Sequence, residues 1–356
     1  MATLQSKYPT LMDVARRTAG DQGIETQIAE IMNQVNLVLS DAYWTECNDG
    51  KSHLTTVRNG LPTPAWARLY KGYPADKSTT TQVIDGTGTI MLSSQIDTRL
   101  LKHMKDPMAW RLTEQWPIFE AMNQTWATTF FYGNASSAVD QFSGLSMRYP
   151  ICKGTNPLLT SWNCIDGGGR ASTNTSIWFI GWGPRTVHCI YPEDSKAGIV
   201  HQNKGENIPI TDSSGNIYYA TIDTYDWSSG LTVRDWRFAC RVCNLDVALL
   251  ASGSGNAPNI MMLMIQAYNR IRKFMSPATA PEMIPMATKW AIYANEDIIT
   301  YLDLQVYSQI SNRMIRYDED TVTGQTILKF RGIPIRHCQA LLSTEAQVPL
   351  ATTANP

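Results

Sequence analysis

Between Asp106 and Asn134 the apolar residues Met108, Leu112, Trp116, Phe119, Met122, Trp126 and Phe130 recur at steps of three and four. That repeat places them along one side of an α-helix, and a stripe of this kind needs an apolar partner. Asp106-Pro107 reads as an N-cap with proline at the first helical position, and Gly133-Asn134 reads as the stop. At 1.5 Å per residue such a helix is about 37 Å long, the width of a domain. Pro117 has no N–H for the Thr113 carbonyl, so a kink is expected between them. A second helical pattern, Ile24, Ile28, Ile31, Val35 and Val38, predicts one amphipathic helix over 24–38, docked on its own chain or on a neighbour.

After Trp44 the pattern changes to alternation rich in Thr, Gly and Pro. It predicts two strands, 52–58 and 79–95, flanking an apex that holds Pro62, Pro64, Gly72 and Pro74. A hairpin arm this long is not stable in isolation, so it is expected to protrude and lie on other protein. Further along, SIWFIGWG, TVHCIYP, IYYATIDTYDW and FACRVCNL read as strands bounded by turn residues. Helices are expected over 259–274 and 296–309, with TKWAIYAN as a buried strand between them. TILKFRGIPIRHCQALL reads as two short strands around Gly332-Ile333-Pro334. No internal repeat is visible, and helices and strands are interspersed without βα alternation, so the fold class is α+β.

The length of 356 residues, with 43% hydrophobic and 17% charged content, gives a large core and suggests two or more domains or lobes. Lys plus Arg total 30 against 31 Asp plus Glu, without a basic tract, which excludes a dedicated nucleic-acid binder. The N-terminal MATLQSKYPTLMDVARR has no apolar core of signal-peptide length, and runs such as IMMLMI fall short of a membrane span. Synthesis and folding in the cytoplasm, without membrane partners, are expected. Seven scattered cysteines, an odd number, point to free thiols.

The search for chemistry yields no catalytic constellation. Asp49-Gly50-Lys51-Ser52 resembles the end of a phosphate loop, but Thr45 stands where the motif needs glycine. Gly86-Thr-Gly88 lacks a third glycine, and Gly167-Gly168-Gly169 reads as a flexible loop. Cys240-Arg-Val-Cys243 is one CxxC without a second pair, which fits two small buried thiols better than a metal or redox site. His53, His103, His188, His201 and His337 show no HExxH spacing and no GxSxG accompanies them. Asp223, Asp226 and Asp235 read as solvated or ion-paired, and Trp178, Trp182, Trp227 and Trp236 as packing residues. No catalytic, cofactor or metal residue is assigned, and a large core with protruding arms points to structural assembly.

The blocks TTVRNGLPTPAW, KSTTTQV, EAMNQTWATTFFYGN, NTSIWFIGWG, EDSKAGI, GLTVRDWRFACRVCNLDV and FRGIPI together resemble the major capsid proteins of tailed bacteriophages, which have the Hong Kong 97-type coat fold. Within them they are similar to a subfamily found in podophages and prophages. The resemblance implies an N-terminal arm over 1–50, an E-loop hairpin over 51–98, and a P domain formed by 99–138 and 325–356. It places the spine helix over 106–132 and the A domain over 139–324. It further implies hexamers and pentamers closing an icosahedral shell around double-stranded DNA, with a portal as partner and a cement or decoration protein left open. The near-neutral charge suits this, because a strongly basic inner wall would hold the packaged DNA through its phosphates.

On this reading the E-loop lies across the adjacent subunit. Leu61, Trp66, Leu69 and Tyr73 would supply burial, and Arg58, Arg68, Lys71 and Lys77 would pair with carboxylates across the junction. The N-terminal arm has no room for a long coiled-coil scaffolding domain, so a separate scaffolding protein is expected. Two alternatives stay open: a hydrolase-type enzyme with a spatial Asp/His/Ser site, and an encapsulin-like compartment shell of the same fold.

Overall fold

A computed structural model describes residues 36–103, 106–152, 159–212, 214–252, 257–275, 289–308, 315–319 and 326–350, with short pieces at 9, 18–19, 24–25 and 34. Its strands, in chain order, are β1 (Thr18–Ala19), β2 (Ile24–Glu25), β3 (Trp44–Glu46), β4 (Ser52–Gly60), β5 (Thr79–Asp97), β6 (Cys164–Asp166), β7 (Asn174–Trp182) and β8 (Val187–Tyr191). They continue with β9 (Val200–Thr211), β10 (Ile217–Val233), β11 (Ala239–Asp246), β12 (Lys289–Ala294), β13 (Ile315–Glu319), β14 (Thr326–Phe330) and β15 (Ile333–His337). Two units emerge. One comprises Met1–Gln34, Thr89–Trp126 and Gly198–Ser228, and the other Val35–Gly88, Ala127–Ala197 and Ser229–Pro356.

The long helix forms where the sequence predicts it. Asp106 Oδ1 accepts from the Met108 and Ala109 amides, both at 3.1 Å, and Pro107–Tyr132 follows as 26 helical residues, roughly 39 Å. The helix continues through Pro117, so the proline removes one hydrogen bond without ending it. At the other end a Cβ on Gly133 would fall 2.4 Å from the Phe142 carbonyl, and one on Gly144 2.8 Å from the Gly133 nitrogen. Glycine stops this helix by permitting that close approach of backbones.

In the smaller unit β9 and β10 form an antiparallel hairpin from Ile217↔Thr211 to Asp226↔Val200, with a register shift at Ala220–Asp223. Trp126 stacks on Trp227 at 5.5 Å and Phe119 meets Tyr225 edge-on. A separate buried cluster joins Ile96, Leu100 and Trp110. β2 pairs with β1 antiparallel, Ala19↔Ile24, which corrects the single helix expected over 24–38. β-branched Thr18 and Ile24 suit extended backbone, Val38 opens a separate short helix, Val38–Asp41, and 26–33 and 35 lie outside the described residues.

In the larger unit β7 is central and buried at every position, the mark of a strand covered on both faces. It pairs antiparallel with β11 and β12 and meets β8 in parallel at Trp182↔Val187. β12 pairs in parallel with β15, β15 antiparallel with β14, and β14 antiparallel with β13, which ends that edge. On the far side the end of β10, Gly230–Val233, pairs with β8. The helix Ile260–Met275 buries Ile260, Met264, Ala267 and Ile271 in a core shared with Phe179, Val242, Ile292 and Phe330. The expected strands and helices after residue 174 are all present, although β10 runs on to Val233, past the Trp227 end of IYYATIDTYDW.

Candidate assembly surfaces

β4 and β5 pair from Ser52↔Gly86 to Gly60↔Thr79 and carry an apex, residues 61–77, in which every side chain is exposed. Asp49 and Ser52 exchange backbone hydrogen bonds across Gly50, at φ +58°, so the Asp49–Ser52 segment is a turn leading into β4 and not a phosphate loop. At the apex Asp76 closes the loop by accepting from the Thr63 amide at 2.7 Å and the Lys77 amide at 2.8 Å. Those two donors hold its carboxyl below the usual carboxylate range. Leu61 is 81% and Trp66 100% exposed, and Leu69, Tyr70 and Tyr73 are likewise in solvent.

Of the eight residues assigned to contacts between subunits, Leu61, Trp66, Arg68, Leu69, Lys71, Tyr73 and Lys77 lie on this apex, and Arg58 is exposed on β4. Arg58, Arg68, Lys71 and Lys77 stand against Asp76 as the one acid within 58–78. The arm is therefore apolar and basic together. Tyr70, at φ +64°, belongs to the same surface and was not identified from sequence; the Pro- and Gly-rich apex around it was the available signal.

The long helix presents a second bare surface. Its stripe divides: Met122, Trp126 and Phe130 are buried, whereas Met108 is 70%, Leu112 56% and Trp116 69% exposed. The apolar repeat that predicts the helix thus continues onto a face where Met108, Leu112 and Trp116 are exposed among the described residues.

The remaining candidates are structural. Gly167 and Gly169 donate to the Cys243 and Asn244 carbonyls at 2.8 Å, and Gly168 donates to Asp166. These amides are committed to protein, so the segment is a pinned loop and not the flexible one expected. Asp223 accepts from Arg111 at 2.8 Å and is 3.0 Å from His201 Nε2; Asp235 holds Arg237 at 2.6 Å. Trp178 packs over the buried Arg241 guanidinium at 5.1 Å. Cys240 lies in the main core, whereas Cys243 contacts Cys152 and Cys164.

Two buried polar clusters were invisible to sequence reading. Arg241 donates to Glu345 Oε2 at 2.9 Å, to Ser176 Oγ at 3.1 Å and to the Tyr149 carbonyl at 3.2 Å. Ser176 and Tyr132 donate to the same carboxylate, and burial beside that charge pushes the Tyr132 phenol far up. Asp41, with its side chain fully buried, binds Lys289 and Arg336 and accepts from Tyr293 Oη at 3.0 Å.

His188 and His53 meet edge-on at 5.4 Å. Burial, followed by repulsion from His53 and Arg234, pushes His188 down to about 4 from its ordinary 6.5. The folded chain therefore takes up this proton less readily than the unfolded chain, and stability falls as pH drops below 6.5, levelling off below about 4. Between pH 7.5 and 4.5 the expected loss through His188 is roughly 2–3 kcal/mol. Urea titrations at the two pH values check this, with the loss shrinking by that amount in His188→Asn.

No helix among the described residues is long and apolar enough to cross a membrane. A family profile described as "Major capsid protein GP7" matches residues 20–349. Among solved structures, a cryo-EM structure of bacteriophage epsilon15 aligns with a TM-score of 0.72 and 28% identity, over 98% of this chain and 99% of that one. The bacteriophage JBD30 capsid aligns over 95% and 96% at 8% identity and a TM-score of 0.46. The SrpI encapsulin of Synechococcus elongatus aligns over 67% and 97% at 12% identity and a TM-score of 0.42. These last two are too distant to inform function. Among curated proteins no relative matches.

Proposed function

As the chain belongs to the GP7 family of major capsid proteins, and is a structural subunit of a phage shell with the Hong Kong 97-like fold, we propose that its copies join by laying the 61–77 apex across the next subunit. The observation that carries this is the row of large apolar side chains on the arm, Leu61, Trp66, Leu69, Tyr70 and Tyr73, all exposed in the single chain. Isolated monomers rarely hold so much apolar surface in water without a partner. Arg58, Arg68, Lys71 and Lys77 give the arm a positive rim that selects an acidic landing site and a register.

In this reading residues 51–98 are the E-loop, 1–50 an N-terminal arm, 99–138 with 325–356 the P domain around the spine helix, and 139–324 the A domain. Subunits form hexamers and pentamers in the host cytoplasm around a separate scaffolding protein. The shell then meets a portal and holds double-stranded DNA through weak, non-specific contacts, in keeping with a net charge of −1. Negative-stain microscopy of the purified chain, with and without its scaffolding protein, is the test. Uniform shells are expected with the scaffold and irregular ones without it; monodisperse monomers in both preparations would overturn the reading.

A further inference from the structure

Cys152, Cys164 and Cys243 come from three separate parts of the chain, yet their sulfurs form a triangle with sides of 2.9, 3.3 and 3.5 Å. All three residues are fully buried. Cys164 lies on β6 and Cys243 on β11, neighbouring parallel strands in which Arg241 is opposite Cys164. The Cys152 amide donates to the Pro349 carbonyl at 2.9 Å. Asn244 fastens the covering segment by exchanging side-chain bonds with the Val348 amide and carbonyl at 2.8 and 2.9 Å, and Val348 packs on the sulfurs.

This arrangement differs from that of the other cysteines. Cys47, Cys189, Cys240 and Cys338 are also buried, but outside this group they act as small apolar residues. Thiols are weak hydrogen-bond donors and acceptors, so three of them gain little from converging on one point in a dry core. A metal ion gains a great deal, because thiolate sulfur is the preferred donor of soft and borderline d10 ions.

We propose that Cys152, Cys164 and Cys243 form a closed three-thiolate site for a thiophilic d10 cation, copper(I) or zinc. Each metal–sulfur bond replaces an S–H bond, so three protons leave to solvent and nothing changes oxidation state. Among the described residues no fourth Cys, His or carboxylate joins the group, and the adjoining sequence over 153–158, KGTNPL, supplies none. Three sulfurs alone satisfy copper(I); zinc, which favours four ligands, needs a donor other than these side chains. Either ion would tie residue 152 to β6 and β11 beneath the 345–350 segment.

The test is metal content of the full-length chain, purified under reducing, anaerobic conditions and then offered zinc or copper(I) against a competing chelator. One equivalent per chain is expected, and X-ray absorption should count three sulfurs around it, with a fourth, lighter donor in the zinc arm. Cys152→Ser, Cys164→Ser and Cys243→Ser should each weaken retention by roughly tenfold or more, while Cys338→Ser retains the ion. The wild type alone decides the matter if those variants do not fold. Native mass spectrometry showing seven alkylatable thiols and no metal uptake would overturn the proposal, as would recovery of a Cys152–Cys243 disulfide from freshly purified chain.

Discussion

Replacing residues 63–77 with a short glycine-serine turn leaves a folded subunit that no longer closes into shells. The replaced residues contribute no buried side chain, and the base of the hairpin, from Ser52↔Gly86 to Gly60↔Thr79, remains paired. The melting temperature of the subunit should therefore stay within a few degrees. Association is another matter. Burying Trp66, Leu69, Tyr70 and Tyr73 on a neighbour yields about 1.5–3 kcal/mol per side chain, against an association cost of about 4–15 kcal/mol. Removing those terms takes away most of the gross gain at this junction. Sedimentation and negative stain should find dispersed subunits or small rings; shells of normal size and yield would show that the arm is dispensable.

Glu345→Ala is expected to be the most damaging single substitution. It leaves the Arg241 guanidinium, 5% exposed, without its counter-charge, and it orphans the hydroxyls of Ser176 and Tyr132 that donate to the same carboxylate. Breaking a buried pair from one side costs about 3–5 kcal/mol, a large share of the roughly 5–15 kcal/mol that holds a typical domain folded. The soluble fraction should collapse at 37 °C, and any surviving protein should unfold at a much lower urea concentration. Arg99→Ala is the control. Arg99 also pairs with a carboxylate, Asp97, but its side chain is 77% exposed, so the change should leave the urea midpoint almost where it was. Equal losses in the two variants would mean that burial is not what gives the Arg241–Glu345 pair its weight.

What the sequence reveals follows from how far each signal reaches along it. The long helix is legible because its cap, its stripe and its stop all lie between Asp106 and Gly133. β7 and β11 are legible because burial on both faces demands uninterrupted apolar runs such as SIWFIGW. β9 was missed because its residues, VHQNKGENIPIT, are mostly polar and exposed; it is a strand by virtue of pairing with β10. The stripe Met108-Leu112-Trp116 was read correctly as apolar periodicity, but periodicity carries no information about whether the covering surface belongs to the same chain. Glu345 with Arg241, Asp41 with Lys289 and Arg336, and the three converging cysteines join residues 79 to 295 positions apart, apart from the Cys152–Cys164 step of 12. Nothing local marks such partners. The arm residues were nameable because exposed tryptophan, leucine and tyrosine among prolines and glycines conflict with a solvated loop.

The Arg241–Glu345 pair also bears on the order in which the molecule can be made. A ribosome delivers Arg241 104 residues before Glu345, so a main sheet closed during that interval would bury the guanidinium without its carboxylate, at a cost of about 3–5 kcal/mol. Any translation product halted before Glu345 keeps that defect permanently. Such a fragment would be handed to chaperones or proteases, and unfinished copies would thereby be screened out before they could poison a growing lattice.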